Sequence, residues 1–337
     1  VYNALSRWYD KNKRPLPWRA EASPYAVLVS EVMAQQTRLA QLLPFYARFM
    51  AHFPTLAALA RSDVSEVLAV WAGMGYYSRA RNLHLAARTI RENYGEQWPA
   101  TRQAWEALPG IGPYTAGAIL SIAFGQREAA IDGNVLRLYA RLENDPTDIS
   151  SGTAKLRATQ FVTAYMPQDS RHMPTFTQAL MELGAMLCTP KNPRCALCPL
   201  AYMCKARQNH TVHTLPVKGK KKPSPVIPLT VLLIFSPEGK VLMHQREAGL
   251  LESMWVYYLV EDAIEDIPAY LNALGYTVHA LEPLGSARHA FTHRIWQMNA
   301  FAVHVRESHA PEGYRFFTPG ETQALAVPAA MKYFMSV

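Results

Sequence analysis

The sequence predicts a mainly α N-terminal domain joined to a smaller α+β C-terminal domain. Three observations carry this reading. Apolar residues recur at three- and four-residue spacing through residues 1–207, a proline- and lysine-rich stretch follows, and β-branched runs broken by turn residues fill the remainder. With 337 residues, 50% hydrophobic and only 18% charged, the chain is long enough for two domains and apolar enough to bury their cores, which excludes a disordered protein.

Helical spacing runs through 25–35, 56–71, 79–93, 113–124, 131–142 and 174–187. Ser23 before Pro24 gives the first of these an N-cap and a proline at its first position. The stretches "GMGYYSR" (73–79) and "PGIGPY" (109–114) break the helices. Residues 208–225 read as an interdomain linker, because "LPVKGKKKPSPVIP" combines prolines with Lys218, Lys220, Lys221 and Lys222. Such a charge run is first a solvated segment and only second a contact for a phosphate backbone. In 226–337, runs 227–236 and 239–246 flank Pro237-Glu238-Gly239 as a hairpin, 264–274 reads as a helix ending at Gly275, and 295–305 as a strand.

The net charge of +8 favours a polyanionic partner, nucleic acid before membrane. There is no charged-then-apolar leader and no run of 18 apolar residues, so neither a signal peptide nor a membrane span is expected. The chain begins at Val1 rather than Met, so leading residues are expected before it. Cys188, Cys195, Cys198 and Cys204 fall within 17 residues with gaps of six, two and five. A disulfide scaffold spreads its cysteines; clustering points to a bound metal or cluster in a reducing compartment, and with no targeting signal a cytoplasmic or nucleoid location is expected. Zinc and a 4Fe–4S cluster both accept four thiolates, and the single tight pair favours iron–sulfur.

In "LPGIGPYTAGAI" (108–119), Gly110 and Gly112 precede a helix start whose free N–H groups suit an anion such as a DNA phosphate. The helix expected in "TRQAWEAL" makes this a helix, hairpin, helix arrangement, which grips a backbone without reading sequence. No strand precedes it and no GK[ST] follows, which disfavours a nucleotide-binding loop. Further on, Asp132 in "AIDGNV" heads an apolar-periodic helix, where an N-cap role is the simple explanation. Glu31 lies between Leu28, Val29, Val32 and Met33. A carboxylate there is either paired with an arginine or raised in pKa, and raised groups cluster at active sites.

Taken together, "VSEVMAQQT", "WAGMGYYSRARNL", "LPGIGPYTAGAI", "IDGNV" and the cysteine spacing resemble the MutY-type adenine DNA glycosylases of the helix-hairpin-helix, endonuclease III-like superfamily. The resemblance covers most of residues 1–207; 226–337 looks more loosely like that family's Nudix-like recognition domain. It implies removal of adenine opposite 8-oxoguanine from double-stranded DNA by a monomer holding a 4Fe–4S cluster. Carried over by motif, it implies Glu31 as catalytic acid, Asp132 as catalytic aspartate, Asn134 as its positioning partner, and Tyr114 and Gln36 beside the extruded nucleotide and opened stack. It also implies Tyr76 as a wedge beside 8-oxoguanine, Arg19 in "LPWR" as a lining of the adenine pocket, and Phe291, Thr292 and His293 as the lesion-probing loop.

Superfamily members that also cut the strand carry lysine where this chain has Tyr114, so strand cleavage is not expected. The C-terminal part departs from the family pattern. "LLESMWVYYLVED" lacks the glutamate-rich metal helix of Nudix hydrolases, so nucleotide hydrolysis is not expected. "MWVYY" replaces a tryptophan-glutamate-phenylalanine-proline stretch, Thr292 replaces the usual serine, and Ala34 replaces a leucine. The competing readings are another base-lesion glycosylase of the superfamily and a non-catalytic iron–sulfur DNA-binding protein; retention of both Glu31 and Asp132 speaks against the second.

Overall fold

The computed structural model describes residues 1–20, 22–95, 97–219 and 223–335. In chain order the helices are α1 (Tyr2–Asn12), α2 (Pro17–Ala20), α3 (Pro24–Ala34), α4 (Leu39–His52), α5 (Leu56–Arg61), α6 (Val64–Trp71), α7 (Ser78–Tyr94), α8 (Arg102–Glu106), α9 (Pro113–Ala123), α10 (Gly133–Leu142), α11 (Gly152–Ala164), α12 (Met173–Met186) and α13 (Lys205–Gln208). Strands β1 (Val226–Phe235), β2 (Val241–Gln245), β3 (Trp255–Val256) and β4 (Tyr258–Val260) follow, then α14 (Ile267–Ala273), β5 (Val278–Ala290), β6 (Ile295–Val305), β7 (Tyr314–Phe317), α15 (Pro319–Ala324) and α16 (Ala329–Lys332). The chain divides into two compact units, Val1–Val70 with Arg79–Lys220, and Trp71–Ser78 with Lys221–Val337.

The helical unit is built around α3, α9 and α12. Ser23 caps α3 by accepting from the Ala26 N–H, with Pro24 beginning the helix as expected. Tyr25, Val27, Leu28, Val29, Val32 and Met33 are all buried, so α3 is covered on every side. It packs on α9, and α9 and α10 pack on α12. Among the longer helices, α1, α4 and α11 escaped the periodicity reading. Helix α1 buries only Leu5 and Tyr9, α4 carries Pro44 in its interior, and α11 buries Ala154, Ala158 and Val162, too small a stripe to register as apolar. The expected helix 56–71 is two helices, because Asp63 Oδ1 accepts from the Ser65 N–H at 2.8 Å and opens α6 afresh.

The segment expected as a linker from residue 208 belongs to the helical unit at its start. Val212 and Leu215 are buried, and Ile149 N–H donates to the Val217 carbonyl at 3.1 Å. Apolar side chains and the buried Arg141, which donates to the Val212 and Leu215 carbonyls, hold it there. Lys220, Lys221 and Lys222 lie outside the described residues.

The second unit is a mixed sheet in the order β3-β2-β1-β6-β5, with β4 also pairing β1 and β7 pairing β2. Strand β1 runs parallel to β6 and antiparallel to β2 and β4. Ile267 and Leu271 of α14 cover one face, and Ala330, Met331 and Phe334 cover the other. The expected hairpin and the strand 295–305 are present, and the helix at 264–274 shortens to α14 because Asp266 caps it by accepting from the Ala269 N–H. Strand β5 was not anticipated, since register shifts at Val278/Ala280 and Pro283/Gly285 break its alternation. Among the described residues no helix is long and apolar enough to cross a membrane.

Candidate active site and iron–sulfur loop

Glu31 and Tyr114, 83 residues apart, meet where α3 packs on α9: the Tyr114 hydroxyl donates to Glu31 Oε2 at 2.7 Å. Among the described residues no arginine pairs with Glu31, contrary to the simpler expectation for a buried glutamate. Burial pushes its carboxyl from 4.5 up to about 7, the Tyr114 hydrogen bond opposes this, Asp132 adds to it and Arg19 opposes it. Tyr114 is itself raised well above 10.0 by burial and by the charges of Glu31 and Asp132, so it stays a neutral donor.

Asp132 does cap α10: its Oδ1 accepts from the Val135 N–H at 2.7 Å. Its other oxygen accepts from Asn134 Nδ2 at 2.8 Å. Burial raises the Asp132 pKa, while the N–H of Val135, Asn134 and the charge of Arg137 pull it back. Both carboxylates are thus strained upward, but Glu31 has one neutral donor and Asp132 has several, so the carboxylate form is better supported at Asp132.

The hairpin before α9 positions Tyr114. Gly110 sits at φ +74, and a Cβ there would come within 2.8 Å of Asn82 Cβ, so the turn requires glycine twice over. Gly112 is the N-cap of α9 with an ordinary φ of −96 and open space around it. Gly110 thus serves the turn, and the missing side chain of Gly112 leaves the mouth of α9 open. Arg102 staples the motif by donating to the carbonyls of Pro113 (2.9 Å) and Ala129 (3.0 Å).

Arg19 enters a network that sequence reasoning missed. Glu182, 1% exposed, accepts from Arg19 and from Arg14 at 2.7–3.1 Å. Gln178 Oε1 takes the Arg19 Nε–H at 3.2 Å and the Tyr9 hydroxyl at 3.1 Å. Burial pushes Glu182 up, but these donors prevail and hold it at about 2. Its signal in the sequence was the one noticed at Glu31, a lone carboxylate in an apolar helix, here "QALMELGAM".

The remaining candidates lie apart from these carboxylates in kind. Gln36 and Tyr76 are both exposed with positive φ, +58 and +49, a backbone state costing about 1–3 kcal/mol in non-glycine residues and common where function demands it. Arg79 holds the Gln36 turn by donating to the Met33 carbonyl at 2.8 Å. In the second unit, Phe291–Arg294 turns between β5 and β6, closed by Phe291 N–H to the Arg294 carbonyl at 2.8 Å. Thr292 and His293 are exposed. The Phe291 ring packs edge-on against Trp296 at 4.8 Å, so part of it is committed to the core.

Cys188, Cys195, Cys198 and Cys204 line one cavity. Four thiols lining one cavity fit a polyatomic cluster. Burial pushes the Cys198 thiol up to about 11 and raises Cys204, with the neighbouring cysteines adding to both, which is the cost that iron binding offsets. When bound, the cluster supplies a cross-link that folds this loop. Arg141, 2% exposed, closes the loop from α10. It donates to Cys188 Sγ (3.3 Å) and to the carbonyls of Thr189 (2.7 Å), Val212 (3.1 Å) and Leu215 (3.0 Å). One turn earlier Arg137 donates to the Cys188 carbonyl at 2.6 Å and to Asn134 Oδ1 at 2.8 Å. A continuous hydrogen-bonded path thus runs from the cysteine loop through Arg137 and Asn134 to Asp132.

A helix-hairpin-helix unit with paired carboxylates and a cysteine loop, followed by a sheet domain, defines a base-excision repair protein. Residues 29–162 match the HhH-GPD superfamily of base excision DNA repair proteins, 188–204 the iron–sulfur binding domain of endonuclease III, and 230–337 the NUDIX domain. The mouse adenine DNA glycosylase is 33% identical over 401 aligned residues, covering 98% of this chain and 76% of the mouse protein. The human enzyme of that name is 43% identical over 235 residues, and one from Buchnera aphidicola 28% over 312. The chain belongs to the adenine DNA glycosylase family, and its cysteine loop is that of a 4Fe–4S cluster. The human and fission yeast matches span only 42% and 49% of those proteins. In fold, the helical part is similar to a thermostable thymine-DNA glycosylase (TM-score 0.54, 24% identity, covering 62% of this chain and 95% of that one). It is likewise similar to endonuclease III in a DNA complex (TM-score 0.51, 21% identity, 62% and 94%).

Proposed function

We propose that this chain, as a monomer, removes adenine mispaired with 8-oxoguanine from double-stranded DNA by hydrolysing the N-glycosidic bond, leaving the strand uncut. The observation that carries the reading is the Glu31 carboxyl, raised to about 7 by burial and held by the Tyr114 hydroxyl, within electrostatic range of an Asp132 that accepts from Val135 and Asn134.

The adenine must leave the stack, at a cost of a few kcal/mol. The Gly110–Gly112 turn grips the backbone phosphate at the mouth of α9, and Arg19 lines the base pocket. Glu31 gives its proton to the base; the bond between sugar and base breaks, and its electron pair leaves with the now neutral adenine. The sugar becomes cationic, and the Asp132 carboxylate, oriented by Asn134, stabilises that charge or bonds to it transiently. Water adds at the sugar carbon, a carboxylate takes its proton, and an abasic site remains. Tyr114 offers no amine to the sugar, so no Schiff base forms and the strand survives. Opposite the adenine, Gln36 and Tyr76 enter the opened stack, and Phe291, Thr292 and His293 probe the oxidised guanine.

The test is a duplex with one central adenine opposite 8-oxoguanine, incubated with protein and then treated with alkali. Breakage at the adenine only after alkali is expected. Binding without breakage would overturn the glycosylase reading, and breakage before alkali the monofunctional one. Equal rates opposite guanine and 8-oxoguanine would remove the lesion-reading loop.

A further inference from the structure

The second unit carries a cluster of polar side chains that the adenine chemistry does not use. His244 and Arg246, two apart on β2 and at its end, lie on the sheet face that α14 covers. Tyr314 of β7 pairs with His244 across the strands, their rings 4.5 Å apart. Tyr258 of β4 lies 5.2 Å from the Tyr314 ring, and its hydroxyl is 3.3 Å from that of Tyr270 on α14. Arg246 acts electrostatically on both Tyr314 and His244, so the five groups share one neighbourhood.

Two features mark this cluster as unfinished. Nδ1 of His244 and Nε of Arg246 are buried and have no hydrogen-bond partner among the described residues. A buried polar atom left unpaired costs about 1–3 kcal/mol, so native proteins seldom keep two together without a ligand or water. All five residues are half-buried rather than sealed, while the two unpaired nitrogens are themselves enclosed, so a ligand reaches them only as the surrounding side chains part. Their chemistry selects its sign. A guanidinium and three phenols, two of which (Tyr258 and Tyr270) share a hydrogen bond, supply the donors, with one imidazole beside them. Helix α14, IPAYLNA, carries no acid. Of the acids nearby, Asp266 is spent on its N-cap and Asp262 accepts from the Ala263 N–H, leaving Glu247, exposed at the rim, as the one that acts on His244. Among these groups donors prevail over acids, which favours an oxyanion over a cation.

We propose that His244, Arg246, Tyr258, Tyr270 and Tyr314 form an anion-binding site of the C-terminal unit that takes a phosphate group, with Arg246 as the charge and the phenols as its orienting donors. Arginine and hydroxyl donors together match phosphate oxygens in charge and geometry. The phosphate belongs either to a free phosphate or nucleotide or to a phosphodiester of DNA.

The experiment is hydrogen–deuterium exchange of the full-length, cluster-loaded protein, read in peptides covering 241–247, 256–260 and 312–316. The probes are inorganic phosphate, dGMP and an undamaged duplex, each against chloride at matched ionic strength. The variants Arg246→Gln and Tyr314→Phe are carried alongside; the second keeps the ring and so keeps the fold. Severalfold slower exchange in these peptides with phosphate or dGMP, lost in both variants, is the expected result and assigns a free ligand. Protection by duplex alone, lost in both variants, supports the site with DNA as the source. Protection by none of the probes, or protection undiminished in both variants, overturns it. Phosphate bound at the Gly110 hairpin is read in different peptides and does not enter the result.

Discussion

Glu31 and Glu182 begin as the same sequence feature, a single carboxylate in an apolar helix of the same helical unit, and end as opposites. Burial pushes both upward. Glu31 meets a neutral phenol and sits at about 7; Glu182 meets Arg14 and Arg19 and sits at about 2. Burial alone therefore does not decide whether a carboxyl holds a proton. Its partners do, and they arrive from 83 and 168 residues away. In the proposed mechanism one pocket keeps a transferable proton; the other keeps a negative charge that ties down Arg19, the arginine proposed to line the base pocket.

The contrast breaks most visibly at Glu31 itself. Glu31→Gln keeps the shape and removes the acid, so single-turnover adenine release falls by about 100- to 10,000-fold, the usual range for a general acid, while the melting temperature does not fall. Glu182→Ala should do the reverse. It leaves two guanidinium groups facing a buried void, and removing one partner of a buried ion pair costs about 3–5 kcal/mol; the half-exposed Arg14 places the loss near the lower end. Chemical denaturation measures it. An equal rate defect in both variants, without a stability difference, would erase the distinction between the two pockets.

A smaller effect tests the scaffold between them. Gly184 of α12 faces Asn134: an added Cβ would lie 2.6 Å from Asn134 Cβ and 3.1 Å from its carbonyl oxygen. In Gly184→Ala, overpacking costs about 1–3 kcal/mol, and the displaced Asn134 lets go of Asp132, slowing base release severalfold. The visible absorbance of the cluster should be retained, because the cysteines themselves are untouched.

Much of this was legible in the chain. The hairpin-helix, the cysteine loop and the helices with continuous apolar stripes announce themselves locally, and Glu31 stood out because polar side chains are rare in such a stripe. Other parts were hidden for physical reasons. Helix α4 contains Pro44, α11 buries mainly alanines, and β5 is broken by its bulges, so each breaks the pattern that periodicity detects. The pairings were hidden more deeply. Nothing local links Tyr114 to Glu31, Arg14 to Glu182, or Arg137 to the Cys188 carbonyl, because tertiary packing makes these contacts. An "IDGNV" stretch announces a helix cap; that the same Asp132 also accepts from a side chain steered by the cysteine loop is visible only once α10 and α12 are packed together.

Folding stability should carry the two pockets in opposite pH windows. The raised Glu31 favours the folded state when protonated, so its contribution is complete below about 4.5 and is lost as pH rises through about 7. The depressed Glu182 contributes above about 4.5 and is lost as pH falls through about 2. Urea unfolding between pH 2 and 8 should therefore flatten between 4.5 and 7 in Glu31→Gln and below 4.5 in Glu182→Gln.

The smallest change is the most diagnostic. Tyr114→Phe removes only a hydroxyl, and that hydroxyl opposes the upward shift of Glu31 by bonding its charged form. Without it, Glu31 should hold its proton to higher pH. A hydrogen bond of net worth about 1 kcal/mol corresponds to a little under one pH unit, so the alkaline fall in adenine release, centred near 7 in the parent, should move upward by that amount. The acid required by the chemistry is then present over a wider range, and release at pH 8 should rise relative to release at pH 6 even if the absolute rate drops through looser positioning. An unmoved profile would mean that the proton lost near 7 is not the one on Glu31. A profile moved downward would mean that the phenol stabilises the protonated carboxyl, and the assignment of donor and acceptor between Tyr114 and Glu31 would have to be reversed.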